Sequence, residues 1–405
     1  MSAKSMGATH PYLPGIVFLT LTALAYLTAP QLPPSWYYHW LCLSFAAAFA
    51  GLLIVEVLCN RPYADAASGL TPLVWSNAPD DRRHRRLLLK ATGVLVLLAI
   101  ASVGATTFYV MMIPTATLPP PWVFGGVVAV ILAVVAVVDR FQRRRYDGLW
   151  LIGMMTIAGR PRLIRRQRAW RYAGFALLQG FFVTFGLYVL SANADFYSEL
   201  MRSDLSGTTF ILVSFSTYVD LSKSMISVGG FICCTRLLNN HVRTLDRSVI
   251  SWVITLACYP PFFNWVDRSV GGLYRAHQWD SYFSPNSTAY NLYAAVLILF
   301  GLLYASDMLV WGTRFSNLAY RGLIANGPFA FVRHPAYLTK VSYFWLAGFP
   351  LFADESGGVL RQMLQLTFTS VLYFVRSRFE DRHLRMHAEY RKYENGESYS
   401  PSLRR

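Results

Sequence analysis

Ten apolar runs separated by polar loops decide what this chain can fold into. They lie at about residues 12–29, 38–58, 91–113, 121–138, 171–192, 208–235, 248–266, 288–312, 336–352 and 359–375. A helix of about 20 apolar residues crosses a bilayer core of about 30 Å. Only helices and closed barrels satisfy their own backbone hydrogen bonds there. Of the 405 residues, 54% are hydrophobic and only 14% are charged, against about a quarter charged in an ordinary soluble domain. The expected fold is all-α, a polytopic transmembrane bundle of about ten helices. The first run follows a lone Lys4 without a small-residue cleavage site, so it reads as a membrane helix and not a signal peptide.

The net charge of +16 has a membrane explanation before a nucleic-acid one, because Lys and Arg collect in cytoplasmic loops. With the N-terminus inside, the interior loops hold "DDRRHRR" (80–86), "RFQRRR" (140–145), "RPRLIRRQRAWR" (160–171), "RLLNNHVRTLDR" (236–247) and Arg314, Arg321 and Arg333. The exterior loops hold "NADFYSELMRSD" (193–204), "DRSVGGLYRAHQWD" (267–280) and "ADES" (353–356), where acids match or exceed bases. Both termini are therefore expected on the cytoplasmic face, with no nucleic-acid partner. The Arg- and Ala-rich composition points to a bacterial inner membrane before an endoplasmic reticulum. The five cysteines show neither a CxxC nor a Cys/His pair at metal spacing, so they read as packing residues and no metal site is expected. The stretch 149–159 is apolar but too short to span, which suits an interfacial helix. Asn395-Gly396 reads as the stop of a helical tail.

Charges inside apolar runs are costly and face protein or water. Asp220 and Lys223 stand at i, i+3 in "YVDLSKSM"; they are either a helix-internal ion pair or the wall of a substrate pocket. Asp307, near the inner end of its run, is a further candidate substrate contact. Glu56, at a helix end, reads as a snorkelling residue. The two prolines of "CYPPFFNW" (258–265) end or kink a helix, or break it where it lines a cavity.

The densest constellation is C-terminal. "NGPFAFVRHPAYLTK" (326–340) breaks the chain at Gly327-Pro328 and then sets Pro335 at the first turn of a helix. Arg333 and His334 project from that helix start, where free N–H groups attract anions. One apolar run later the chain returns at "RSRFEDRHL", bringing Glu380, Asp381 and His383 to the same membrane face. The alternative is ordinary: juxtamembrane anchors, and a surface helix with an Arg376–Glu380 pair at i, i+4.

These residues resemble the C-terminal signature of the isoprenylcysteine carboxyl methyltransferases and their phospholipid N-methyltransferase relatives. The shared pattern is Gly-Pro, Arg-His-Pro-x-Tyr, a paired acidic E-E-x-x-L and Tyr-x-x-Tyr. Here it reads Gly327-Pro328, Arg333-His334-Pro335 with Tyr337, Glu380-Asp381 with Leu384, and Tyr390 with Tyr393, within about 287–400. Asp381 replaces the second Glu, Thr339-Lys340 stand where a Gly often follows, and the Phe-Gly before the tyrosines is absent. The resemblance divides the chain into N-terminal helices of unassigned role, 1–205, and a methyltransferase-like core with a cytoplasmic tail helix, 206–405. It implies S-adenosylmethionine as methyl donor and a lipid or lipidated acceptor. Its carboxylate would meet Arg333, His334 or Arg378, and its ribose hydroxyls Glu380. Tyr337, Tyr343, Phe344 and Trp345 would wall in the sulfonium and adenine, with Tyr390 and Tyr393 as a lid. A carboxylate acceptor needs no base; an amine or hydroxyl would need one, for which Glu380 and His383 are candidates. Sterol reductases, which bind NADPH through a similar segment with an Arg-His-Pro, are the rival reading, with Lys340 facing a 2′-phosphate. A non-enzymatic scaffold or a transporter using Asp220 and Lys223 is the third.

Overall fold

A computed structural model describes residues 13–33, 36–64, 68–70, 82–112, 121–143, 145–158, 166–259, 262–263, 279–284, 287–349 and 358–396. Each apolar run carries an α-helix. These are α1 (Leu13–Thr28), α2 (Tyr37–Val55), α3 (Arg83–Met112), α4 (Pro121–Phe141), α5 (Gly148–Ala158), α6 (Arg166–Leu200), α7 (Gly207–Ile232) and α8 (Val249–Ala257). After a short α9 (Trp279–Tyr282) come α10 (Thr288–Trp311), α11 (Pro335–Ala347), α12 (Gly358–Leu384) and α13 (Ala388–Glu394). Among the described residues, four segments are long and apolar enough to cross a membrane: Leu13–Gln31, His39–Asn60, Ala173–Leu200 and Thr288–Arg314. Their outer faces carry exposed leucines, among them Leu24, Leu27, Leu43, Leu292 and Leu299, as expected of surfaces that meet lipid.

The main core sits where α1, α2, α6, α7 and α10 meet, around Phe18, Phe45, Tyr197, Leu221 and Met308. It runs without interruption across the 205/206 boundary. Small residues set the closest approaches, as they do between membrane helices. A Cβ on Gly229 of α7 would lie 2.2 Å from the Phe49 ring of α2. The crossing of α3 and α5 is tighter: a Cβ on Gly153 would lie 1.8 Å from the Leu89 carbonyl oxygen. Gly148–Ala158 is thus a helix clamped backbone to backbone on α3.

The basic loops meet one another. Arg86 and Lys90 of α3 both bind the buried Asp139 of α4, each at 2.8 Å, and Lys90 also reaches Asp147 at 2.9 Å. Arg143 N donates to Gly69 O at 3.2 Å, and Arg236 donates to Ser68 O at 3.0 Å. The loop after α7 and the loop after α10 join in a two-stranded antiparallel ladder, β1 (Thr244–Leu245) with β2 (Ala319–Tyr320). Arg321, buried beside it, donates to Asn240 O at 2.6 Å and to Gly230 O at 2.7 Å. Its guanidinium thereby satisfies a carbonyl left open at the end of α7, where a positive charge also suits the helix dipole. At the opposite end, Tyr197 of α6 donates to Tyr26 O of α1 at 2.7 Å, and Tyr293 of α10 to Leu346 O of α11 at 2.7 Å.

The tail differs from one continuous helix. α12 ends at Leu384, a turn follows, and α13 occupies Ala388–Glu394. Gly396, at φ +70°, then stops it, a conformation that glycine adopts without strain.

Candidate functional site

Pro335 is the first residue of α11, and its missing N–H falls where no helical bond is due. That start points His334 and Arg333 at α12. His334 Nε2 lies 2.8 Å from Asp381 Oδ1, and Arg333 Nη1 lies 3.3 Å from Asp381 Oδ2 and 2.5 Å from Glu394 Oε1. Tyr390 donates to Asp381 Oδ1, and Tyr393 donates to the Phe329 carbonyl in the turn begun by Gly327 and Pro328. Tyr337, one turn on, donates to Glu380 Oε2 at 2.6 Å and stacks on the His334 ring. The two stretches separated by α11 and α12 therefore meet.

Their meeting encloses a cavity of about 330 Å³. Of the sequence candidates, Asp220, Lys223, Arg333, His334, Tyr337, Glu380, Tyr390 and Tyr393 line it. Asp220 and Lys223 are hydrogen-bonded to each other and also form part of the wall, so the ion pair and the pocket wall coexist. The remaining candidates stand elsewhere. Gly327 and Pro328 form the turn behind Phe329; Pro335 is buried in the first turn of α11. Asp381 is buried behind the wall, Arg378 is exposed on α12, and His383 borders a separate small chamber. Asp307 is buried between α10 and α11, where Thr339 donates to its Oδ2 at 3.3 Å.

The aromatic walls are not Tyr343, Phe344 and Trp345. Trp345 donates to Ser370 of α12 at 2.9 Å, and Tyr343 packs on the Trp279 cluster. The chain instead supplies Tyr259, Tyr304, Trp311, Tyr320 and Tyr373. Tyr259 reaches the cavity because α8 stops at Ala257, before Pro260 and Pro261, which lie outside the described residues. Sequence reasoning also missed Arg376. It does not pair with Glu380; it donates to Asn317 and to Tyr259 and lies 4.9 Å from the centre of the Tyr337 ring. Only a pattern placing Asn317 opposite α12 would have revealed it, and the sequence holds none. Lys223, Lys340, Arg314, Arg321, Arg333 and Arg376 face Asp220 and Glu380 across the lining, so the cavity is cationic.

The charges at its rim are fixed by their partners. Burial opposes ionisation of Asp381, but hydrogen bonds from His334 and Tyr390 and the charge of Arg333 prevail and hold its pKa down to about 2. Burial pushes the Tyr390 hydroxyl well above the usual phenol range, with Asp381 adding to the effect. Burial holds His383 below the usual imidazole range, as does neighbouring His387, while Asp246 and Glu380 pull the other way. Compared with protein-family models, curated proteins and solved structures, the chain matches none.

Proposed function

We propose that the protein is an integral-membrane methyltransferase that takes S-adenosylmethionine as donor and methylates a lipid or lipidated acceptor at the cytoplasmic face. One observation carries the reading: a single cavity joins Arg333, His334 and Tyr337 at the start of α11 to Glu380 of α12 and the tyrosines of α13, and extends to Asp220 and Lys223. Its volume of about 330 Å³ falls in the range of about 300–1,000 Å³ typical of small-molecule sites. The residues fit the donor. Glu380 uses Oε2 for Tyr337 and has Oε1 to accept from ribose hydroxyls. Arg333 and His334 offer charge-assisted bonds to a carboxylate. Tyr304, Tyr337 and Tyr373 give a sulfonium π-faces. When bound, the donor supplies an electrophilic methyl group. The chain's own task is then alignment: two rigid helix ends hold donor and acceptor in line, which is where most of the rate advantage of such a transfer lies.

Ten membrane crossings, cytoplasmic termini and a bacterial inner membrane belong to the same proposal. The joining of the basic loops with one another, and of α1 with α6 at the far end, supports that orientation. The reductase reading has one observation in its favour, the cationic lining with Lys340. Incubation with methyl-labelled S-adenosylmethionine and bacterial membrane lipid separates the two. Label passing to lipid or lipidated protein supports the methyltransferase; NADPH consumption without label transfer overturns it.

A further inference from the structure

Beside the main cavity lies a chamber of about 20 Å³, lined by Asp246, Ser251, Asn317, Glu380 and His383 among others. Glu380, Arg376 and Asn317 border both spaces. A polar chamber needs about 10–15 Å³ to hold one water, with two to four polar partners. Ser251 Oγ and Asn317 Nδ2 are buried and bond to no protein atom, and both residues line the chamber, so its wall offers a water unpaired polar groups. On the far side of the chamber, His383 Nε2 lies 3.0 Å from Thr244 Oγ1, and Thr244 Oγ1 lies 2.8 Å from His387 Nε2. The ladder with Tyr320 fixes Thr244, and the Tyr320 ring stacks on His387 with centres 3.8 Å apart. His387 is half-buried at the surface, on the turn between α12 and α13.

We infer that Glu380, a water in this chamber, His383, Thr244 and His387 form a proton path from the main cavity to the cytoplasm. This rests on the proposed methyl transfer and narrows its acceptor to one that loses a proton, an amine or a hydroxyl. Methylation of such a group forms one bond to carbon and breaks the donor's carbon–sulfur bond with the electron pair left on sulfur. The acceptor's proton goes to Glu380, then through the water to His383. His383 Nε2–H gives its proton to Thr244 Oγ1 as the Thr244 hydroxyl gives its own to His387 Nε2, and His387 releases it to water. A carboxylate acceptor would release no proton and would have no use for this chain. Because one hydroxyl hydrogen can serve only one of two nitrogens, the two imidazoles must hold opposite tautomers. The charged groups around them are Asp246, Glu380 and Glu389, together with Arg243, which pairs with Glu389 at 3.0 Å, and Arg391.

The test is nitrogen NMR of the two histidines in the intact, detergent-solubilised protein, with single histidine variants for assignment. In the resting protein at neutral pH, one Nε2 should carry hydrogen and the other should be bare. Thr244→Val should remove that opposition, and Thr244→Ser should restore it. Identical tautomers at both histidines, or opposition that survives Thr244→Val, would overturn the path. With an active acceptor in hand, Thr244→Val should lower kcat by about tenfold or more with KM unchanged, and Thr244→Ser should recover most of it. An unchanged kcat would count against the path. Opposite tautomers without methyl transfer to any acceptor would leave the path standing and overturn the methyltransferase reading alone.

Discussion

Glu380 and Asp381 are sequence neighbours with opposite tasks. Asp381 is buried, accepts from His334 and Tyr390, and faces Arg333; it ties α11, α12 and α13 together. Glu380 turns to the cavity and keeps one oxygen for a ligand. Asp381→Asn should therefore lower stability by about 1–3 kcal/mol, the cost of leaving charged partners unmatched, read as a fall in thermal midpoint. Glu380→Gln should leave the midpoint nearly unchanged and weaken donor binding by about tenfold or more. The adjacent acids were legible as a pair. Which one faces the cavity was legible only through the resemblance, since one helical step of 100° decides it and the partner helices set the rotation. A pH effect belongs to this scale too. Burial, together with Arg236, Arg243 and Arg321, lowers the His241 pKa from 6.5 to about 4. A histidine held neutral when folded binds fewer protons than the unfolded chain, so stability falls as pH drops through 6.5 towards 4. The Asp381 contribution is lost only lower, as pH falls from 3.8 towards 2. Thermal midpoints across pH 7 to 4 should decline, and His241→Gln should flatten that decline; an unchanged slope would refute the assignment.

At the scale of elements, helix positions were readable because apolar length is a direct physical requirement of the bilayer. The proline at the start of α11 and the glycine after α13 were readable because each removes conformational choices. The break at 385–387 was not, since no residue there is a strong helix breaker; the bonds of α13 to Asp381 and Phe329 outweigh helix continuation. The clamp of α3 on α5 yields a clean contrast. Gly153→Ala should destabilise by about 1–3 kcal/mol through overpacking, because its Cβ would collide with the Leu89 carbonyl. Gly125→Ala on α4, where a Cβ meets nothing within 4 Å, should be neutral or slightly stabilising. The buried network at Asp139 belongs here as well. Asp139→Ala takes from Arg86 and Lys90, both nearly inaccessible, the carboxylate they share, leaving Lys90 only Asp147 as an acidic partner, and should cost about 3–5 kcal/mol in a denaturant titration.

At the scale of the whole molecule, the site draws on α6, α7, the turn after α8, α10, α11, α12 and α13, while the C-terminal signature lies only in the last three helices and the turn before them. Tyr259 and Tyr304 come from stretches that carry no signature, and Arg376 stands one turn before Glu380 with no signature of its own, so their convergence is a property of packing and not of spacing. The same wholeness gives a topological expectation. In a background without native cysteines, Ser356→Cys should react with a membrane-impermeant thiol reagent from outside the cell, and Ser398→Cys only after permeabilisation. The central claim is that this cavity is built for S-adenosylmethionine. It is tested most directly by titrating the purified protein with S-adenosylmethionine and, separately, with NADPH while following thermal unfolding. Saturating S-adenosylmethionine, at a hundred times its dissociation constant, should stabilise the folded state by about 2.7 kcal/mol, and Glu380→Gln at the same concentration should respond less. Stabilisation by NADPH alone, or by neither ligand, would contradict the account.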